Sequence, residues 1–236
     1  MDSPIVINEE QGSAESRGWF VTFEGGEGAG KTTQIARLAR TLRSRGCDVV
    51  STREPGGTPG ADAIRSLVLS GAAEDLGTET EAILFAAARL DHIALVIRPA
   101  LERGAIVLCD RFHDSTRVYQ GLATGSDQEF LKIVEDAVLE DIRPSLTLML
   151  DLPAEIGLAR ASARRQNAAL PDRFEKETLA LHEARRQGFL TIARSEPDRC
   201  VVIDALQEED AVARSVLDAF DLRLPGCARK GADATS

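Results

Sequence analysis

The sequence predicts an α/β fold, a five-stranded parallel sheet flanked by helices on both faces, and three features carry that expectation. Short apolar runs alternate with longer stretches of helical pattern, the signature of repeated strand-helix-strand units. A glycine-rich segment, 25–30, separates the first apolar run from the first helical one. Segments rich in Arg, Asp and Gly directly follow the first three runs, and ligands of open parallel sheets bind beyond the carboxyl ends of the strands.

The candidate strands are Trp19–Phe23, Asp48–Thr52, Ala105–Cys109, Leu146–Leu150 and Cys200–Ile203, all expected to be buried. A helix is expected near Lys31. Another is expected where Phe130, Ile133, Val134, Ala137 and Val138 recur at helical spacing, with Ser126 as its N-cap and the apolar face as core. No internal repeat is visible. Residues 1–17 and 223–236 offer little to bury and read as flexible extensions around one domain at 18–222.

Composition narrows the functional classes. Of 236 residues, 43% are hydrophobic and 28% charged, close to ordinary globular values, so the chain should fold as one α/β domain. Its net charge of -10 argues against general nucleic-acid binding and against attraction to anionic membranes. No apolar run approaches the ~20 residues that span a bilayer, and the N-terminus lacks a signal-peptide pattern. Cys47, Cys109, Cys200 and Cys227 form neither a CxxC pair nor a Cys/His cluster, so a reduced, cytoplasmic compartment is expected.

Gly25, four residues, then Gly30-Lys31-Thr32 match the phosphate-binding loop in full, between a strand-like run and a helical one. Glycines let successive backbone N–H groups turn toward phosphate oxygens, and the helix N-terminus adds partial positive charge. Lys31 would reach the β- and γ-phosphates of a nucleotide, and Thr32 would offer its hydroxyl to Mg²⁺. The dinucleotide fingerprint GxGxxG is not met, which disfavours a dehydrogenase. Asn8 and Asn167 are the only asparagines, and neither begins the Asn-Lys-x-Asp element of a guanine-binding switch. Asp110 leads into Arg111 where a motor-type ATPase would carry Asp-Glu, and an arginine there suits an anionic acceptor better than water.

Three segments together resemble the thymidylate kinase family: Phe23-Glu24-Gly25-Gly26-Glu27-Gly28-Ala29-Gly30-Lys31-Thr32-Thr33, Thr52-Arg53-Glu54-Pro55-Gly56-Gly57-Thr58, and Asp110-Arg111-Phe112 through Tyr119-Gln120-Gly121. Leu84 to His92, Arg98-Pro99-Ala100-Leu101 and Asp172-Arg173-Phe174-Glu175 fit the same family, so the resemblance runs from about 19 to 221. Val118 departs from the alanine common before Tyr-Gln-Gly, and the arginine-rich stretch before Asp172 is longer than in many relatives.

The resemblance implies a P-loop kinase with a mobile arginine-rich lid at about 160–174, which moves the γ-phosphate of ATP to dTMP with Mg²⁺ and is a homodimer through helices within 80–100. Gly25, Gly26, Glu27, Gly28, Ala29, Gly30, Lys31, Thr32 and Thr33 would hold ATP, and Thr32 and Asp110 the Mg²⁺, partly through water. Some relatives carry an arginine in the loop where Gly28 stands, and this sequence resembles the lid type instead. Arg164 and Arg165 are then the candidate closing cations in an arginine-rich stretch that also holds Arg160 and Arg173, and a solvated helix end is the plain alternative for Arg160 to Arg173. Arg53 and Arg111 would grip the acceptor's 5′-phosphate, with bidentate geometry suited to a dianion. Glu27 would accept from the 3′-hydroxyl, and Glu54 would orient Arg53 or a metal-bound water, or form a surface ion pair. Phe85 would stack on thymine, Arg89 would meet its O4 edge, Ser115, Thr116 and Gln120 its other edge, and Tyr119 would pack on the deoxyribose. His92 and His113 have no partner at metal-ligand spacing and read as structural. His182 has no assigned role, and Asp204-Ala205 would border adenine or form a simple turn. Another nucleoside monophosphate kinase, or an ATPase switch with no acceptor, are the competing readings.

Overall fold

The computed structural model describes residues 18–122, 127–165 and 177–224. Five strands, β1 Phe20–Glu24, β2 Val49–Arg53, β3 Ile106–Asp110, β4 Leu146–Asp151 and β5 Cys200–Asp204, form one sheet in the order β2-β3-β1-β4-β5. Every pairing is parallel. The chain leaves β1 for the β2 edge and leaves β3 for the β4 side, so the crevice between the carboxyl ends of β1 and β3 is the switch point of the sheet.

All five strands fall on the expected runs but end one residue further on, β1, β2 and β3 also beginning one later, and the edge strands β2 and β5 are only partly buried where full burial was expected. Each added residue is charged: Glu24, Arg53, Asp110, Asp151 and Asp204. An apolar-run criterion stops before these positions, whereas the hydrogen-bonded ladder carries the backbone through them to the sheet edge where polar side chains meet the cleft.

Alternation along the strands sorts the core into layers. Val21, Phe23, Leu108, Leu146, Leu148 and Leu150 pack against α1 (Lys31–Ser44) and α9 (Glu209–Arg223) on one face. Phe20, Val107 and Cys109 face the other way, onto α3 (Thr78–His92), its widened π-helical continuation Ile93–Ile97, α4 (Arg98–Glu102) and α6 (Gln128–Leu139). On the same face, Met149 and Cys200 pack with α5 (His113–Tyr119) and α8 (Leu179–Ser195). Two further helices are α2 (Pro59–Leu69) and α7 (Ala154–Arg165).

Three expectations need correction. The cap of α6 is Asp127, whose carboxylate accepts from Glu129 and Phe130 N–H, and Ser126 lies outside the described residues. Only part of the predicted apolar face of α6 is core: Val138 is buried, but Ile133 is 61% exposed and Ala137 is exposed. Periodicity finds an apolar stripe without saying what covers it. Cys109 and Cys200 are free and buried, whereas Cys47 is disulfide-bonded, which goes against the expectation of a reduced protein and is invisible in the sequence spacing.

A buried polar girder joins the two halves of the second face. Thr22 and Thr147 share a 2.8 Å hydrogen bond between β1 and β4, and Arg199 donates to Thr147 Oγ1 at 2.7 Å. The same guanidinium grips Asp114 through both nitrogens at 2.8 Å, with Asp114 fully buried on α5. Burial alone would favour a neutral Asp114, but His113, Arg199 and Arg117 hold its pKa below the ordinary carboxylate value. Removing one partner of such a pair strands the other charge. Asp114→Ala is expected to cost about 3–5 kcal/mol of stability by urea denaturation, and a loss under about 1 kcal/mol would show that the pair is not structural.

Candidate active site

The loop after β1 turns on glycines that other residues could not replace cheaply. Gly25, Gly28 and Gly30 have φ of 135°, 68° and 90°. A Cβ on Gly28 would stand 2.0 Å from the Gly157 carbonyl oxygen on α7, and one on Gly157 would stand 2.2 Å from the Glu27 oxygen. Backbone therefore touches backbone at this point, which only two glycines allow. Gly30 caps α1 without a side-chain bond and the first turn carries no acidic residue, leaving the helix N-terminus open to an anion. Ala29 is buried in the core and anchors the loop. Lys31 Nζ folds back to donate to Gly25 O at 3.0 Å and Gly26 O at 2.9 Å. Burial and Arg111 lower its pKa, against the raising influence of Asp110, Glu27 and Glu24.

An open cavity of about 1080 Å³ is lined by the loop residues Glu27 to Thr32 together with Arg53, Glu54, Asp110 and Arg111. Lys31, Arg53 and Arg111 thus face one space, although they follow three different strands. Thr33 lies beside it, in a shallow groove on α1. Thr32 donates its hydroxyl to Asp110 Oδ2 at 2.7 Å, bringing together two hard oxygen donors. No cluster of three His, Cys, Asp or Glu side chains among the described residues could hold a metal unaided. Two protein oxygens suit a Mg²⁺ whose remaining positions are taken by water and phosphate.

Arg111 is the most constrained side chain of the cleft. Its Nη2 donates to Glu27 Oε1 at 2.7 Å, its Nη1 to Ser115 Oγ at 3.1 Å, and its guanidinium lies 5.2 Å from the centre of the Tyr119 ring. Tyr119 donates its hydroxyl to the same Glu27 oxygen at 2.9 Å. Burial works against ionisation of Glu27, yet Arg111 and Lys31 bring its pKa down to about 2. Arg185 of α8 lies 4.2 Å from the centre of the same ring.

A second cavity of about 140 Å³ adjoins the first, lined by Phe85, Arg89, Phe112, Ser115, Thr116, Tyr119 and Gln120 with Glu27, Glu54 and Arg111 at the shared wall. Phe85 supplies a half-buried aromatic face. Arg89 is held from two sides: Nε donates to Glu54 Oε2 at 2.7 Å and Nη2 to Thr116 Oγ1 at 3.1 Å. Gln120 is buried and donates to Glu81 at 2.9 Å.

Glu54 behaves differently from the sequence reading. It is buried and pairs with Arg89 and with His92 Nδ1, at 3.0 Å, and not with Arg53 or on the surface. Burial opposes its ionisation, but Arg89 and His92 keep its pKa below the ordinary value. Arg53 is largely exposed, with only a 3.5 Å contact to Asp62. His92 bridges Glu54 to Thr52 Oγ1, 2.7 Å away, so its expected structural role is what the geometry shows. His113 is also buried, and desolvation pushes its pKa down to about 4. Arg160 donates to Ala205 O at 3.2 Å, tying α7 to the turn after β5, while Asp204 accepts from Leu206 N–H in that turn. The backbone of Arg164 and Arg165 closes α7; their side chains, and Asp172 and Arg173, lie outside the described residues.

The sequence assigns no role to two residues of weight here. Arg65 lines both cavities, and Glu24, fully buried, bonds the segment after Arg111. A carboxylate at a strand end and an arginine on an amphipathic helix look ordinary until the chain is folded.

Comparison with known proteins adds an independent finding. Residues 23–216 match the family model of thymidylate kinase. The thymidylate kinase of Caulobacter vibrioides is 56% identical over 209 residues, covering 89% of this chain and 99% of that protein. The one from Bradyrhizobium sp. is 55% identical over 208 residues, covering 88% and 92%. A crystal structure of thymidylate kinase from Ehrlichia chaffeensis superposes with a TM-score of 0.69 at 32% identity, covering 86% of this chain and 99% of that one.

The buried carboxylate of Glu24 sets a pH test. Desolvation, with Asp114 beside it, raises its pKa from 4.5 to about 7. Between those values the unfolded chain gives up a proton that the folded one keeps, so this group makes stability fall as pH rises, on the order of 3 kcal/mol in total. Urea unfolding of the wild type and Glu24→Gln from pH 4.5 to 7 should show that fall in the wild type relative to the variant; parallel curves would contradict it.

Proposed function

The chain belongs to the thymidylate kinase family and transfers the γ-phosphate of ATP to dTMP, giving dTDP and ADP for dTTP synthesis; on that premise we propose how its residues divide the work. The observation that carries the division is that Lys31, Arg53 and Arg111 line one cavity, which opens into an aromatic-walled second one. ATP is assigned to the loop 25–33, with backbone N–H groups around its phosphates and Lys31 on the β- and γ-oxygens. Thr32 and Asp110 would hold Mg²⁺, partly through water; when bound, the ion neutralises charge between the phosphates.

dTMP is assigned to the second cavity. Arg111 and Arg53 take its 5′-phosphate, Phe85 stacks on the thymine ring, and Arg89 meets O4. Ser115, Thr116 and Gln120 border the other edge. Tyr119 packs on the deoxyribose, where a 2′-hydroxyl would crowd it, and Glu27 accepts from the 3′-hydroxyl. Glu54 acts by fixing Arg89, since both are buried and bonded to each other. Phosphoryl transfer needs alignment and charge neutralisation more than a covalent nucleophile. In this reading Lys31, Arg111, Asp110, Arg164 and Arg165 supply them, the last two from a lid at about 160–174. The close contact of Gly28 with Gly157 supports that placement, because a side chain inside the loop would collide with α7.

We assign residues 18–222 to the kinase unit and the cytoplasm as its location; the free buried thiols of Cys109 and Cys200 suit a reducing compartment, while the disulfide of Cys47 does not. No helix of the described residues is long and apolar enough to cross a membrane. A homodimer is proposed through α3, its continuation and α6, where Ile83, Leu90, Leu95 and Ile133 are 50%, 49%, 62% and 61% exposed.

ADP release is the direct test, measured with ATP, Mg²⁺ and each nucleoside monophosphate in turn. Strong turnover is expected with dTMP, slower turnover with dUMP because one methyl discriminates only about 10–200-fold, and little without an acceptor. Equal turnover without an acceptor would contradict the reading. Lys31→Ala and Arg111→Ala are each expected to lower kcat/KM by at least ~10²-fold; near-normal activity would remove that residue from the scheme. Leu95→Asp is expected to give a monomer by sedimentation, and an unchanged mass would place any dimer contact elsewhere.

A further inference from the structure

We propose that Glu24 is a positioning residue for phosphoryl transfer, fixing the turn that carries Arg111 so that its guanidinium faces the acceptor phosphate. The proposal rests on the reading of Arg111 as the acceptor-phosphate ligand.

Glu24 ends β1 and is fully buried. It lines neither cavity, so it is not placed to touch substrate. Its oxygens are instead spent on one short segment of the neighbouring β3 connection. Oε1 accepts from Phe112 N–H at 2.8 Å and from Ser115 N–H at 3.3 Å, and Oε2 accepts from Ser115 Oγ at 2.7 Å. Ser115 Oγ in turn accepts from Arg111 Nη1 at 3.1 Å. A three-member relay therefore runs from a strand-end carboxylate to the guanidinium.

The backbone shows why a clamp is needed. Arg111 has φ 68°, a left-handed conformation that residues with a Cβ adopt at a cost of about 1–2 kcal/mol. Such a conformation persists only where the surroundings over-determine it. Here β1 supplies both restraints: Phe23 O accepts from Arg111 N–H at 2.9 Å, and Glu24 secures the next residues. Without them the turn could relax and swing the guanidinium out of line.

Glutamine is a sharp probe because it keeps the shape. Either amide orientation sets an N–H group against a group that now donates: the Ser115 hydroxyl in one, the Phe112 and Ser115 amides in the other. Assayed at pH 8, where Glu24 is ionised, Glu24→Gln is expected to lower kcat/KM for dTMP about 10- to 100-fold, the scale of a small misplacement near the reacting groups. KM for ATP should stay within about 2-fold, since no loop residue of the phosphate site bonds Glu24. In an Arg111→Ala background the same substitution should add less than about 3-fold, because residues acting through one group are not additive.

If Glu24→Gln does not fold, Glu24→Asp keeps the charge and draws it back from Phe112 and Ser115; its loss too should nearly vanish beside Arg111→Ala. Additive losses, or an equal rise in KM for ATP, with Arg111→Ala itself impaired, would overturn the positioning role alone. An Arg111→Ala enzyme with wild-type kcat/KM for dTMP would overturn instead the reading on which it rests.

Discussion

A guanidinium that is largely removed from water must be paired, and in this molecule that constraint falls on Arg111. It stands at the carboxyl end of β3, at the switch point of the sheet, and its partners come from everywhere around the cleft. Glu27 of the phosphate loop, Ser115 and Tyr119 of α5, and through Ser115 the end of β1 all converge on it. The interactions that keep the charge in place are thereby the ones that join the ATP side of the cleft to the acceptor side. A phosphate dianion entering the cleft would compete with Glu27 for this cation, offering a doubly charged partner for a single one.

The sheet makes such convergence possible. Parallel pairing brings all the carboxyl ends to one edge, and each strand ends there on a charged residue. Arg53 and Arg111 sit on adjacent strands β2 and β3 and reach the same cavity as Lys31. Behind them lies a second shell of buried charge, where Glu54 holds Arg89 and His92 while Asp114 holds Arg199. Two of the cleft's cations, Arg89 and Arg111, are thus held by the carboxylates of Glu54 and Glu27, which limits their rotamers before any ligand arrives, whereas Arg53 is largely exposed.

Much of this was legible in the sequence because its physics is local. Gly25 to Thr32 shows the phosphate loop by spacing alone, and the apolar runs mark every strand to within one residue. Phe85 and Tyr119 could not be told from core aromatics by periodicity; only the surrounding segments of the family pattern marked them, and both line the second cavity. What escaped depends on contacts between distant residues. Glu54 follows Arg53 in the chain, yet folds away from it to meet Arg89 and His92. Glu24 looked like one more letter of a motif, and its role appears only when β3 is laid beside β1 in register. The stripe on α6 was visible, but whether Ile133 faces core or surface is decided by how α6 lies on α3, which no window of sequence contains.

One cleft, closed at its base by Arg111, is assigned to both the transferred phosphate and its acceptor. A crystal structure with dTMP and a non-hydrolysable ATP analogue bound tests it most directly. The dTMP phosphate is expected within hydrogen-bond distance of Arg111 and Arg53, facing the γ-phosphate on Lys31. A dTMP phosphate seated away from Arg111, with that guanidinium still paired only to Glu27, would contradict it.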